Sequence, residues 1–399
     1  MGRVGILRGA MSRDMRWGLA GLAVVLIAAG AVLIWQGSEH RHAEVIPWGL
    51  LVPGYVFFAL MATGSSIVNS IYTVFGYKGP NGEYEKIIKL GVFFSLVTII
   101  PAWIMILMDL SKGPLAAMNM FIHTKEGFSL FFQPRSAIAW MALLYMIFAL
   151  TLLIELIYFI RSEVSEKLRK VKSLELAIAL AVLTATVLVH SNLGQVFGNV
   201  MAIPAWYGPH MAVYFIISAI IIGAAGQALF LLPFTQSLGV REFTTWYYSR
   251  ILMISLPILA FIKGWMVINS YYSPASWEAY REVVSTPNFY VFEVILLLVL
   301  PFIAATVAYY RKNTALLILA ALSLVVAGFV DKYDLIIHPQ IAFIHSYLGK
   351  VGHVHYAPAE FEIMISTGAV LVYIALLILG VLLLPLKPGE KPKTLYIFK

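Results

Sequence analysis

The sequence predicts an all-α integral membrane protein with about ten transmembrane helices. Hydrophobic residues make up 61% of the 399 residues and charged residues only 12%. The apolar residues are gathered into ten long segments, and most of these approach or exceed the roughly 20 residues with which a helix crosses a bilayer. The strand-like alternation that a membrane β-barrel would need is absent. This composition leaves no room for a soluble domain of any size.

Short polar connections separate the ten predicted spans. The spans cover residues 17–35, 49–75, 87–108, 136–160, 174–191, 209–232, 244–268, 289–310, 315–330 and 361–384. A basic leader with Arg3, Arg8, Arg13 and Arg16 precedes the first span, as in many secretory signals. The apolar run that follows is too long for a signal core and lacks a small-residue cleavage site, so we expect an uncleaved anchor.

The distribution of Lys and Arg predicts the orientation, because basic loops stay in the cytoplasm. One side carries the leader, the cluster within 161–172 and the lysines of the tail. The other side carries far fewer, among them Lys332 and Lys350. Both termini are therefore predicted to be cytoplasmic. The longer connections fall on the outer side and are residues 109–135, 192–208, 269–288 and 331–360. This thick outer surface either docks a partner or merely caps the bundle.

An internal repeat organises the spans into two parallel-repeat four-helix bundles plus flanking helices. The segments 46–49 (IPWG) and 203–208 (IPAWYG) open the two halves alike. Similar spacings then lead to a tyrosine, a glycine and a polar residue, which are Tyr55, Gly64 and Asp109 in the first half and Tyr214, Gly223 and Asn269 in the second. Both units begin on the outer side, so the repeat axis runs along the membrane normal. The predicted domains are 1–45 (leader and first span), 46–200 (first bundle), 201–335 (second bundle) and 336–399 (outer loop, last span and tail).

Ionisable residues inside a bilayer are costly, which makes them functional candidates. Glu155 lies more than one turn from the inner end of its span, where it either loads protons from the cytoplasm or pairs with Arg161. Lys263 and Glu293 lie in the same outer half, and we expect them to form a structural ion pair.

The residue types exclude several chemistries. The chain has no cysteine, so it holds no iron–sulfur cluster, thiolate haem ligand or disulfide of its own. Haem b needs two imidazoles at one depth, and only His190 and His210 lie near span ends. The group of His338, His345, His353 and His355 lacks the spacing of a zinc site, so no metal site is predicted. The basic residues follow topology rather than forming a patch, which argues against nucleic acid.

The residues around the third and fourth spans resemble a known family. The segment 106–114 (ILMDLSKGP), followed by 133–136 (QPRS) and Trp140, is similar to the "Leu-Asp-Leu-Gly-x-Pro … Ser-Pro-x-x-Trp-Gly" signature of the NrfD-like, polysulfide-reductase type of membrane anchor. The opening 47–49 and the late segment 356–360 are similar to two further family features. Ser111 replaces the signature glycine, and Met141 stands where Gly or Asp often follows the Trp.

The resemblance implies a haem-free membrane subunit of a respiratory oxidoreductase complex in the plasma membrane of a prokaryote. Such a subunit binds a quinone, for example menaquinone, near the outer face. It exchanges electrons with a ferredoxin-like iron–sulfur subunit, which serves a molybdopterin enzyme, a hydrogenase or a cytochrome complex. Membrane lipid is then the only other expected contact.

The candidate site residues follow from this resemblance. Quinol oxidation releases protons, so the site needs a base within hydrogen-bonding reach of the ring oxygen, and Asp109 is the expected base. Glu155 is the candidate for a proton pathway. The expected pocket residues are Trp48, Tyr55, His123, Trp140 and His190. The second unit, with Asn269 in place of Asp109, is expected to have lost its quinone site.

Three alternatives remain open from the sequence. A secondary transporter also has parallel repeats, but it would normally show broken helices and polar residues near the membrane centre. Here the polar residues collect at the outer ends of the spans instead. A passive anchor without a redox role and a haem cytochrome are the other two.

Overall fold

The computed structural model describes residues 13–40, 46–110, 121–123, 129–130, 132–285, 287–348 and 355–388. Its helices are α1 (Arg13–Glu39), α2 (Leu51–Val74), α3 (Ile88–Asp109), α4 (Ala137–Ser162), α5 (Glu166–Lys170), α6 (Lys172–Gly198), α7 (His210–Thr235), α8 (Arg241–Tyr271), α9 (Pro274–Val284), α10 (Leu300–Arg311), α11 (Thr314–Leu348) and α12 (Glu360–Leu383). A 3₁₀ turn (Tyr84–Lys86) precedes α3, and a π-helix (Phe289–Val299) continues into α10. The two-residue strands β1 (Ile122–His123) and β2 (Ser129–Leu130) pair antiparallel.

Ten helices of the described chain are long and apolar enough to cross a membrane. This confirms the predicted all-α, multi-pass membrane fold with about ten spans. We call the end of the bundle at which α3 ends and α4 begins the Asp109 end. The opposite end, which carries the turn between α2 and α3, is called the Lys78 end.

The centre of the bundle is the crossing of α2 and α7. A Cβ atom on Gly64 would lie 1.7 Å from the Ala219 carbonyl oxygen, and one on Gly223 would lie 2.2 Å from the Ser65 nitrogen. Glycine is therefore required at both positions, since small residues let membrane helices approach closely. Gly64 and Gly223 are equivalent in the predicted repeat, and each packs against the helix that carries the other. The division into two four-helix units stays a prediction, which this reciprocity supports.

A buried polar network lies between α2, α3, α7 and α8 nearer the Lys78 end. Asn69 Oδ1 accepts hydrogen bonds from Gln227 Nε2 (2.9 Å) and from the Tyr84 hydroxyl (3.1 Å). The Tyr248 hydroxyl donates to Gln227 Oε1 at 2.8 Å. Because unpaired polar groups are costly away from water, these mutual bonds let side-chain amides sit inside the bundle.

Two helices extend further than the sequence suggests. The hydropathy pattern predicts Lys332 in an outer loop, but α11 runs through this position to Leu348, and Lys332 is 0% exposed. The predicted domain boundary at 335/336 also falls inside α11. The apolar run ends at Asp331 and Lys332 because both residues are charged. Both side chains nevertheless form salt bridges inside the bundle. Similarly, α6 continues to Gly198, so His190 lies two turns before its end rather than at it.

A proline lies just after the π-helix, at the start of α10. Pro301 has no N–H group, so it cannot donate to a carbonyl of the preceding turn. The Leu300 N–H instead reaches back five residues to the Ile295 carbonyl, the hydrogen bond of a π-helix. The Leu296 carbonyl accepts a hydrogen bond from the Ser323 hydroxyl of α11. These two hydrogen bonds let the span continue through the proline without a break.

Candidate functional site

A cavity of about 380 Å³ lies at the Asp109 end of the first half of the chain. Its walls are almost entirely apolar and aromatic. They are formed by Trp48, Val52, Tyr55, Trp103, Ile106, Leu107, Leu110, Phe121, Ile138, Met141, Ala142, Tyr145, Met146, Leu193, Val196 and Phe197. We call this space the first cavity. It is enclosed by α2, α3, α4 and α6, with Trp48 contributed by the segment before α2.

Trp48 is held in place from both sides. Its backbone N–H donates to Gln340 Oε1, and Gln340 Nε2 donates to its carbonyl, both at 3.0 Å. The indole stacks on Trp206, with ring centroids 5.2 Å apart and planes 15° apart. Phe197 packs edge-on against both indoles. A residue predicted for the pocket thus forms a rigid wall of the first cavity, next to its counterpart in the repeat.

Two tyrosines provide the polar groups of this wall. The rings of Tyr55 and Tyr145 are 6.1 Å apart between centroids, and both side chains line the first cavity. The Tyr145 hydroxyl is buried and has no hydrogen-bond partner within the described part of the chain. A buried polar group left unpaired costs about 1–3 kcal/mol. A ligand with an oxygen acceptor would recover this energy.

Asp109 and Trp140 lie next to the first cavity in sequence, but they are not among the residues that line it. Asp109 is half-buried at the end of α3, between the lining residues Leu107 and Leu110. Trp140 is 38% exposed, and its indole N–H donates to the Pro134 carbonyl at 2.9 Å. The latter bond ties the start of α4 to the segment that precedes it.

The two predicted histidines do not join the cavity wall. His190 is fully buried, and its Nε2 forms a 3.0 Å hydrogen bond with Thr63 Oγ1 of α2. Leu193, one turn further along α6, is the residue that reaches the first cavity. The backbone of His123 forms part of β1, but its side chain lies outside the described residues, as does the signature segment 111–114.

Glu155 is placed far from this site. It is buried in the half of α4 nearer the Lys78 end, and its Oε2 has no hydrogen-bond partner among the described residues. Arg161, the other partner considered, is exposed. The structure therefore does not support an ion pair between Glu155 and Arg161. The role of Glu155 in a proton pathway stays a prediction.

The second half of the chain holds an ionic cluster at the same end. The predicted pair of Lys263 and Glu293 is confirmed at 2.6 Å. It belongs to a larger group, because Asp331 binds both Lys263 and Lys332, the latter at 2.7 Å. Lys332 also donates to the Tyr214 hydroxyl at 2.6 Å. Lys263, Glu293, Asp331 and Tyr214 line a second cavity of about 220 Å³.

Sequence reasoning missed several of these residues. Tyr145 follows Met141 by one helical turn, so the helical period alone places both on one face of α4. The sequence carried no signal to choose that face over another apolar one. Asp331 and Lys332 were missed because hydropathy alone ends the span just before them. Among the described residues, no group of three or more His, Cys, Asp or Glu side chains is placed to hold a metal ion.

Comparisons with known proteins agree with this architecture. Residues 38–345 match the family described as "Polysulphide reductase, NrfD". One of the subunits of the selenate reductase of Mesobacillus selenatarsenatis is 23% identical over 94% of both chains. The Hdr-like menaquinol oxidoreductase integral membrane subunit of Archaeoglobus fulgidus is 25% identical over 92% of this chain and 93% of its own. Because the family match covers well over half of the residues, this chain belongs to the NrfD polysulphide reductase family.

Proposed function

We propose that this chain is the quinone-reacting membrane subunit of a multisubunit oxidoreductase, with its quinone site in the first cavity. The observation that carries the proposal is an apolar, aromatic cavity with an unpartnered buried phenol, Tyr145, on its wall. One relative is named as a menaquinol oxidoreductase membrane subunit and another as a selenate reductase subunit. Both names support membership of a redox complex.

The chemistry of the first cavity suits a quinone ring. Its volume of about 380 Å³ falls in the usual range for small-molecule sites, which are mostly apolar with a few polar groups that fix orientation. Trp48 and Phe197 offer flat surfaces for the ring. The hydroxyls of Tyr55 and Tyr145 are placed on the wall to donate to a ring oxygen. A quinone headgroup is therefore the ligand that we propose for the first cavity.

Oxidation of a quinol releases two electrons and two protons, so a proton acceptor is needed near the ring. Asp109 is our candidate, because it ends α3 between two lining residues and is only half-buried. A carboxylate in that position can exchange protons with water at the Asp109 end. Glu155 would serve proton exchange with the opposite, Lys78 end.

The electrons must leave through another chain. This subunit has no cysteine and so offers no iron–sulfur ligands of that type. The partner we infer is a ferredoxin-like iron–sulfur subunit that docks at the Asp109 end and serves a molybdopterin enzyme, a hydrogenase or a cytochrome complex. The Asp109 end would face the outside of a prokaryotic plasma membrane, with both termini cytoplasmic.

The test is quinol oxidation by the complex purified from its native membrane, with Tyr145→Phe and Asp109→Asn compared with the unmodified chain. We expect each variant to lower turnover at least tenfold while the complex stays assembled. Tyr310→Phe, which removes an exposed hydroxyl far from the cavity, is the matched control and should turn over normally. Unchanged turnover in both Tyr145→Phe and Asp109→Asn would favour the passive anchor.

A transporter is the second candidate, because buried ion clusters are typical of transport pathways. It predicts substrate flux in vesicles that contain this chain alone. It also predicts that the flux is lost in Lys263→Met, while no quinol turnover depends on Tyr145.

A further inference from the structure

A cleft of about 440 Å³ adjoins the second cavity and is not explained by the proposed function. It lies between the start of α7, the last turns of α8 and the short helix α9. It is lined by Pro204, Ala205, Tyr207, His210, Val213, Phe261, Ile262, Trp265, Met266, Asn269, Ser270, Ser276 and Tyr280. Ala205, Met266 and Tyr280 also line the second cavity, so the two spaces are neighbours that share these residues.

The cleft lies at the same end of the bundle as the first cavity, beside the second cavity. The last turns of α3 wall the first cavity, and the last turns of α8 wall the cleft. Trp48 precedes α2 in the former, and Ala205 and Tyr207 precede α7 in the latter. The polar residue that closes α3 is Asp109, and its counterpart at the end of α8 is Asn269, which lines the cleft itself.

The cleft is open to the membrane. Three aromatic side chains on its rim are largely exposed, namely Tyr207 (52%), Phe261 (67%) and Trp265 (53%). Phe261 and Trp265 belong to a membrane-spanning helix, so their exposed faces contact lipid rather than water. A ligand would therefore reach the cleft through the bilayer, which requires a molecule that dissolves there.

The polar groups of the cleft include no carboxylate. They are the hydroxyls of Ser270, Ser276 and Tyr280, the Asn269 amide and the His210 imidazole. Burial raises the pKa of the Tyr280 phenol, so it remains a hydrogen-bond donor at neutral pH. None of the lining residues is Lys or Arg, whereas pockets for anionic lipid headgroups are basic. A flat, neutral headgroup with oxygen acceptors fits this wall better than a phosphate.

We propose that this cleft binds a second prenylquinone, drawn from the membrane pool. The choice of quinone as the ligand rests on the proposed function, whereas the existence of a membrane-accessible site does not. Asn269 stands where the first half has Asp109, and an amide accepts no proton. The Asn269 amide can instead donate a hydrogen bond to a ring oxygen, as can the Tyr280 hydroxyl. The second site would hold a quinone ready for exchange with the membrane pool.

The experiment counts bound menaquinone per complex, in nanodiscs of phosphatidylcholine titrated with menaquinone. We expect two equivalents for the unmodified complex and one for Val213→Trp, which fills the cleft from an exposed position. Ile254→Trp is the matched control, because Ile254 is equally exposed on α8 and lines neither space. Asn269→Leu provides a second test that adds no bulk, with weaker occupancy of one equivalent expected.

Turnover separates this proposal from the proposed function. Val213→Trp should keep quinol oxidation within about twofold of normal, since it leaves the first cavity untouched. Tyr145→Phe should lower turnover and leave the second equivalent bound. One equivalent in the unmodified complex, or two that survive in both Val213→Trp and Asn269→Leu, would overturn the second site. Displacement by Val213→Trp of a phospholipid instead of a quinone would overturn the identity of the ligand.

Discussion

The first and second cavities occupy corresponding places in the two halves of the chain, yet their chemistry is opposite. Tyr55 and Tyr214 stand at the same point of the repeat. Tyr55 lies against another phenol, Tyr145, in an apolar space. Tyr214 donates to Asp331 at 2.6 Å and accepts from Lys332. The two tyrosines are equivalent in the predicted repeat, so the difference between the two spaces comes from the side chains of the neighbouring helices.

The charges of the second cavity also show why it is a poor quinone site. Lys332 is fully buried and is satisfied by Asp331, Tyr214 and Ser218. Desolvating an ion costs several kcal/mol, and this cost is repaid only when every partner is in place. A quinone headgroup that competed for these bonds would leave a charge uncompensated. The cluster thus stabilises the helices around it instead of offering free donors.

Asp331→Asn should have the largest effect on stability. It leaves the buried Lys332 ammonium without its carboxylate, and breaking a buried pair costs about 3–5 kcal/mol. The free energy of unfolding, measured by SDS titration in mixed micelles, reports this loss. The double variant Asp331→Asn with Lys332→Met should recover most of it, because Lys263 and Glu293 then remain as a balanced pair. Glu242→Gln, which breaks the exposed pair with Lys312, should cost at most about 1 kcal/mol. Equal losses in the buried and exposed variants would refute the role assigned to burial.

Gly64→Ala should have the next largest effect. The new Cβ would lie 1.7 Å from the Ala219 carbonyl oxygen on a backbone that cannot move freely. We expect a loss of about 3 kcal/mol, the upper end of ordinary overpacking costs. The same titration measures it.

Gly264→Ala is the control for this close contact, because no atom lies within 4 Å of the position that its Cβ would take. It should be neutral or stabilising by up to about 1 kcal/mol, since alanine favours a helix. A large loss at Gly264, or none at Gly64, would show that the α2–α7 crossing is not the rigid centre of the bundle.

The sequence was sufficient to predict the spans, because apolar length is the signal that a bilayer imposes. It was also sufficient to predict the pair of Lys263 with Glu293. Trp48 and Tyr55 do line a cavity, but their role in a quinone site stays a prediction. The ends of α6 and α11 could not be predicted in this way. His190 and Lys332 look like interface residues by hydropathy, and only tertiary partners such as Thr63 make their burial possible.

Most wall residues of the first cavity could not be predicted from the sequence, for a similar reason. Tyr145 and Phe197 are apolar or aromatic residues among many, and nothing local distinguishes a cavity wall from a lipid-facing surface. The side chain of His123 lies outside the described residues, so its place in the site stays a prediction.

The comparison of the two tyrosine environments predicts opposite effects of removing a hydroxyl. Tyr214→Phe should cost about 2 kcal/mol, because it removes hydrogen bonds to two charged groups. Tyr145→Phe should be neutral or slightly stabilising, since its hydroxyl is buried without a partner in the described chain. SDS titration of both variants, without added quinone, is the measurement. If Tyr145→Phe destabilised the protein as much as Tyr214→Phe, the Tyr145 hydroxyl would have an internal partner and would not be available to a ligand.

Ser323→Ala should have the smallest effect among the variants that remove a buried hydrogen bond, and it tests why the second half differs from the first. In the predicted repeat, the π-helix and α10 correspond to α4. Pro301 lies at the start of α10, and Glu293 of the π-helix pairs with Lys263. The Ser323 hydroxyl satisfies the Leu296 carbonyl within that π-helix. Loss of this hydroxyl should cost about 1 kcal/mol, which is the usual net contribution of one hydrogen bond. Ser366→Ala is the matched control, since the Ser366 hydroxyl is buried without a hydrogen-bond partner among the described residues, and it should be neutral. Equal effects in the two serine variants would mean that the Ser323 hydrogen bond does not stabilise the π-helix.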